Sequence, residues 1–133
     1  MIGSALVRGA RILVIAEDHL FGERCRRGME AAGHQVLVAP GWWVGVHLAG
    51  LQVPDLVVVD ELLADVDGLS VLAILKAHPS TASLPVVVAA SRERADLQLR
   101  AGRLCAVAIA LKAELSAGRI EAYLRPSTAE PAS

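Results

Sequence analysis

Acidic residues follow two apolar runs of this chain, and a lysine follows a third. Glu17 and Asp18 come directly after Ile12-Leu-Val-Ile-Ala16, and Asp60, followed by Glu61, closes Leu56-Val-Val-Val. Lys112 succeeds Ala106-Val-Ala-Ile-Ala-Leu111, and Ser91 stands after a fourth run, Pro85-Val-Val-Val-Ala-Ala90. Paired acids suit Mg²⁺, which is held through a few carboxylate oxygens plus water. A lysine opposite them neutralises an incoming phosphoryl group as a point charge. A carboxylate nucleophile, a divalent cation and a fixed cation are the parts needed to move a phosphoryl group onto an aspartate.

Those residues are useful only if the runs that carry them lie side by side. Five mostly aliphatic runs recur, at residues 12–16, 36–39, 56–60, 85–90 and 106–111. They are continuous rather than alternating, as strands buried on both faces require. Helical segments are expected between them. Residues 20–32 stop at Gly33, a natural C-cap, and residues 43–51 are weakened by Gly45 and Gly50. Residues 67–77 open on Asp67, able to N-cap, and segments 92–103 and 116–124 complete the series, with Ser91 read as the cap of the former. Strand and helix alternate five times, which predicts an α/β domain with helices on both faces of a parallel sheet. Right-handed crossovers give a doubly wound sheet of order 2-1-3-4-5. Ligands of such sheets collect at the carboxyl ends of the strands near the switch in winding, where Glu17, Asp18, Asp60, Glu61, Ser91 and Lys112 all fall.

Composition narrows the classes. Hydrophobic residues make up 54% and aromatics 3%, so the core must be aliphatic. With 13 basic against 14 acidic residues, the net charge of −1 gives no reason to expect nucleic acid or an anionic membrane as partner. No apolar run approaches the ~18–20 residues that span a bilayer, and the N-terminus lacks the apolar core of a signal peptide, so a cytoplasmic location is expected. The 133 residues fit one domain at 11–125, with an extension at 1–10 and a disordered tail at 126–133. Cys25 and Cys105 show no ligand-like spacing, and Cys105, beside an apolar run, reads as a buried thiol. One of Trp42 and Trp43 is expected to close the core. Arg24, Arg26 and Arg27 read as a solvated helix face, and His19, His34, His47 and His78 share no metal-like spacing.

The joint spacing of these motifs resembles the receiver domain of response regulators. Pro54-Asp-Leu-Val-Val-Val-Asp60-Glu-Leu-Leu-Ala-Asp-Val-Asp67-Gly68-Leu69 is similar to the family's third strand and acceptor loop. Leu75-Lys-Ala-His-Pro-Ser-Thr-Ala-Ser-Leu84-Pro85-Val-Val-Val resembles its route into strand four, and Arg11-Ile-Leu-Val-Ile-Ala-Glu17-Asp18-His its first strand and acidic turn. Lys112 falls where the family places its strand-five lysine. The match runs from about 11 to 124 without a gap. The resemblance implies a flavodoxin-like, stand-alone receiver of bacterial two-component signalling, in which Asp60 is the phospho-acceptor and Lys112 contacts the phosphoryl oxygens. It further implies Mg²⁺ held by Glu17, Asp18, Asp60 and the backbone carbonyl of Leu62. A sensor histidine kinase or phosphotransfer protein would be the donor. The output would be a downstream protein bound at the face of helix four, strand five and helix five, with a homodimer through that face a further option. Such a chain is no enzyme beyond self-catalysed phosphotransfer and autodephosphorylation.

The departures are as specific as the matches. The family's acid pair at the end of strand one is either Ala16/Glu17 or, with a one-residue shift, Glu17/Asp18. The Met-Pro that commonly follows the acceptor is Leu63-Ala64. The switch Thr or Ser of strand four is Ala90, with Ser91 one place beyond, and the aromatic switch of strand five is Ile109. A pseudo-receiver, an interaction module that keeps the fold without phosphorylation, is therefore the alternative reading. A minor one is a cobalamin-binding domain, because Glu17-Asp-His19-Leu-Phe-Gly22 is similar to that family's cobalt-ligating loop.

Overall fold

The structure is a computed structural model describing residues 9–124. The expected extension and tail, at 1–10 and 126–133, lie largely outside the described residues. Strands β1 (Arg11–Ile15), β2 (Gln35–Ala39), β3 (Leu56–Asp60), β4 (Val86–Ala90) and β5 (Ala108–Leu111) form one parallel sheet of order β2-β1-β3-β4-β5. The helices are α1 (His19–Ala31), α2 (Trp42–Gln52), α3 (Gly68–Ala77), α4 (Ala95–Arg103) and α5 (Ala117–Leu124), with a 3₁₀ turn at Lys112–Glu114. This is the expected α/β architecture and strand order.

Alternate residues of the apolar runs enter two separate cores. Ile12, Val14, Val58, Val87, Ala89 and Ala110 face α1 and α5, meeting Phe21, Cys25, Met29 and Ile120. Leu13, Ile15, Val57, Val59, Val88 and Ala90 face α2, α3 and α4, meeting Ala49, Leu72, Leu75 and Leu97. Both faces of β3 and β4 are buried throughout, which is why those runs carry no internal polar residue.

Local backbone chemistry sets the ends. After α1, Gly33 takes a φ of 97° while its N–H reaches Glu30 O and the His34 N–H reaches Met29 O, a Schellman closure. His34 is then buried, its Nδ1 accepting the Ala10 N–H at 3.3 Å and its Nε2 lying 2.7 Å from Glu121 Oε2. Because Nδ1 accepts, Nε2 carries the proton, and one imidazole ties the lead-in to β1 to α5.

Two local expectations are corrected. Ser91 caps no helix: α4 starts at Ala95, Arg94 holds the N-cap position in an extended conformation, and Ser91 is exposed in a bend. Residues 92–94 precede the helix, where Arg94 pairs with Glu61 and Asp96. Cys105 is exposed, not buried. It sits at the left-handed residue of a second Schellman closure, φ 62°, with Cys105 N–H to Gly102 O and Ala106 N–H to Ala101 O, which delays β5 to Ala108. Of the tryptophans, Trp42 packs on the core and Trp43 is exposed.

Two glycines should respond oppositely to alanine. A Cβ at Gly68 would stand 2.5 Å from the Asp60 carbonyl oxygen and 2.9 Å from Glu61 Cα, whereas one at the exposed Gly28, inside α1, meets nothing within 4 Å. In urea melts, Gly68→Ala should cost about 1–3 kcal/mol and Gly28→Ala should add up to about 1 kcal/mol. Equal stability of the two variants would contradict the tight packing at Gly68.

Candidate functional site

Asp60 is the last residue of β3, and its side chain is only 1% exposed. Its Oδ1 accepts the Leu62 N–H at 2.9 Å, turning the loop back over the strand end. Its Oδ2 lies 2.9 Å from Lys112 Nζ, an ion pair without an aligned hydrogen bond. Lys112 follows β5, so its side chain has to pass over β4 to reach β3. The register makes this possible: Asp60 pairs with Ala89, and Ala89 with Ala110, which leaves a lane of methyl groups on that face.

The lysine head is held from several sides. Asp18 Oδ2 is 3.7 Å away and the Phe21 ring centroid 5.0 Å away, a cation–π distance. Arg24 donates to the Lys112 carbonyl oxygen and lies over Phe21, so this arginine is more than the solvated residue its position suggested. Asp18 N-caps α1, its Oδ1 accepting from the Leu20 and Phe21 amides at 3.1 and 3.2 Å. The Phe21 N–H is the main reason its carboxyl is held below the usual carboxylate range. Glu17 turns the other way: its Oε1 accepts the Ala64 N–H at 2.8 Å and braces the loop between β3 and α3.

The structure thus brings Asp60, Asp18 and Lys112 together and attaches Glu17 to the loop that carries Leu62. Among the described residues no group of three acidic, histidine or cysteine side chains is close enough to enclose a metal. The oxygens available are nevertheless hard carboxylate donors at one strand edge. That chemistry fits a cation that keeps most of its water and takes one or two carboxylates. Ala90 is wholly buried in the core under α3 and α4, and Ile109 is half-buried against the same core. Neither offers a hydroxyl to the site. His19 opens α1 and is exposed.

One constellation was not foreseen from the residue pattern. Glu61, 7% exposed at its side chain, is ion-paired with Arg94 from the β4–α4 loop, and Arg94 also holds Asp96 at 3.2 Å. The hydrogen bond to Asp96, and then the Glu61 charge, push the Arg94 guanidinium above its ordinary value, and Arg94 holds the Asp96 carboxyl low in return. An acid directly after a buried aspartate was the available signal. Arg94, one of several arginines in a polar stretch, carried none.

No family model matches the chain. Protein PilH of Pseudomonas aeruginosa is 28% identical over 85 residues, which cover 64% of this chain and 70% of PilH. The DNA-binding dual master transcriptional regulator RpaA of Synechocystis is 35% identical over 78 residues, 59% of this chain. The match spans 32% of RpaA, about a third of its length. Among solved structures, the Mn²⁺-bound form of response regulator Rcp1 superposes with a TM-score of 0.68 at 19% identity, covering 86% of this chain and 89% of that one. Further response-regulator structures superpose at 0.73 to 0.78 with 18–20% identity.

Two measurements probe this geometry. Lys112→Ala leaves a buried carboxylate uncompensated and should cost about 3 kcal/mol in chemical denaturation. Asp60→Asn in the same chain should recover most of that loss, and a simple sum of the two effects would contradict the pairing. The backbone amides at Asp18 and the Arg94 guanidinium at Asp96 hold both carboxyls below the usual carboxylate range. Their ionised forms therefore stabilise the fold above the unfolded value, and this contribution vanishes as pH falls through the lowered folded values. The melting curves of wild type and Asp18→Asn should separate above pH 4 and converge in stronger acid; parallel curves would count against the cap.

Proposed function

We propose that this chain, whose fold is that of response-regulator receiver domains, accepts a phosphoryl group on Asp60 and signals through protein contacts. The observation that carries the reading is the buried Asp60 carboxylate, at the carboxyl end of the central strand, facing Lys112 Nζ at 2.9 Å. In the transfer, an Asp60 oxygen forms the new P–O bond while the donor's bond to phosphorus breaks. With a phosphohistidine of a sensor kinase or phosphotransfer protein as donor, that bond is P–N, and the departing imidazole nitrogen takes a proton from solvent. Lys112 balances the charge gathering on the phosphoryl oxygens, and its hold by Asp18 and Phe21 keeps it there before reaction. Mg²⁺ would take one or two of the Asp60, Asp18 and Glu17 carboxylates, the Leu62 carbonyl and water, and would supply charge neutralisation of the phosphoryl oxygens when bound. The Mn²⁺-bound form of Rcp1 supports a divalent cation in this fold.

The protein is then a signalling domain and not an enzyme acting on other substrates. Exposed Leu99 on α4 and Val107 before β5 supply apolar contacts for an output partner or a second copy on the α4–β5–α5 face. Among the described residues no helix is long and apolar enough to cross a membrane, and a cytoplasmic setting fits a kinase partner. The second reading, an interaction module that no longer uses phosphorylation, is favoured by Ala90 and Ile109, which leave the two usual transmitting positions without a hydroxyl.

Incubation with Mg²⁺ and acetyl phosphate, followed by intact mass, separates the two. The phospho-acceptor reading expects an acid-stable, base-labile gain of one phosphoryl group that is lost in Asp60→Asn. An unchanged mass under conditions that label a known receiver would leave the interaction module standing.

A further inference from the structure

We propose that Arg94 is a positioning residue that relays the charge state of Asp60 to the first turn of α4, in place of the hydroxyl that Ala90 lacks. The inference rests on Asp60 as the acceptor, but on a different set of contacts. Glu61 is next in the chain to Asp60, and its backbone is fixed on both sides: its N–H bonds to Ala89 O at 2.8 Å, and its carbonyl accepts from Gly68 N at 2.9 Å. The Glu61 backbone is therefore held against β4 and α3 directly beside Asp60. Its side chain is buried and paired with Arg94.

Arg94 reaches both ways. One end of its guanidinium meets Glu61, while its Nε and other terminal nitrogen meet Asp96 at 3.4 and 3.2 Å. Asp67, the N-cap of α3, also faces it electrostatically. One cation is thus shared between the acceptor loop and the opening turn of α4, where Arg94 itself occupies the N-cap position without a side-chain cap. A planar fork suits this division better than a lysine would. Relative to the Mg²⁺-bound resting form, a phosphoryl group on Asp60 adds negative charge one residue from Glu61, which draws the guanidinium toward its Glu61 end, while the exposed Asp96 end is screened by water. The balance shifts toward Glu61, and the residue that shifts is the one that starts α4. Leu97 and Ala101 carry that motion into the core beneath the α4–β5–α5 face.

The probe is beryllofluoride with Mg²⁺, a mimic of an acyl phosphate, read residue by residue through amide NMR shifts. Wild type should respond at Asp60, Glu61 and Lys112, and also at Leu97 and Gln98. Asp96→Asn changes an exposed side chain and spares the fold; it should keep the first response and lose the second. Arg94→Ala should behave alike, and Arg94→Lys should restore part of the α4 response, which a merely structural role would not require. If both variants respond at Leu97 and Gln98 as wild type does, the relay is overturned while Asp60 stands. Silence of wild type at Asp60 and Lys112 would instead overturn the acceptor reading, and the relay with it.

Discussion

An ionised carboxylate at the end of a wholly aliphatic strand has to be compensated where it stands, because desolvation of an unpaired charge costs several kcal/mol. For Asp60 the compensation comes from two strands away, and the intervening strand is built to let it through. Ala89 and Ala110 keep the lane over β4 open, β5 stops one residue before Lys112, and Arg24 and Phe21 fix the backbone and head of that lysine. The placement of α1, the end of β5 at Leu111 and the small residues Ala89 and Ala110 all serve this single ion pair.

The acids around the pair hold structural positions as well as chemical ones. Asp18 starts α1 and Glu17 steadies the loop between β3 and α3 through Ala64. Each such hydrogen bond contributes on the order of 1 kcal/mol. A cation drawing on these carboxylates would therefore loosen the ends of α1 and of the loop by modest amounts, so occupancy and loop geometry are coupled from the outset. In the proposed site, folding and ligand chemistry would draw on the same oxygens.

Much of this was legible in the residues. Continuous aliphatic runs announced two-sided burial, their alternation with helical segments gave the sheet order, and Asp67 and Gly33 marked helix ends as they stand. Asp60 and Lys112 were visible because polar residues ending apolar runs have few other reasons to be there. What escaped notice depended on backbone closure and on partners distant in the chain. Cys105 looked buried beside its apolar neighbours, yet a Schellman turn places it outside. Ser91 looked like a cap, but α4 starts later, beyond the Arg94 that pairs with Glu61 and Asp96. His34 gave no sign that a glutamate 87 positions away would meet it in the core.

The alanine that closes β4 has a bearing on how such a domain can change over time. Alanine lies one nucleotide from serine and from threonine, so a hydroxyl at position 90 is always within easy mutational reach. Position 90, however, is fully buried in a layer of Leu, Val and Ala. An unpartnered hydroxyl there would cost about 1–3 kcal/mol, a sizeable part of the stability of a small domain. The genetic step is short and the physical one is steep, so a lineage that has settled on aliphatic packing at this strand end is held there by its own core.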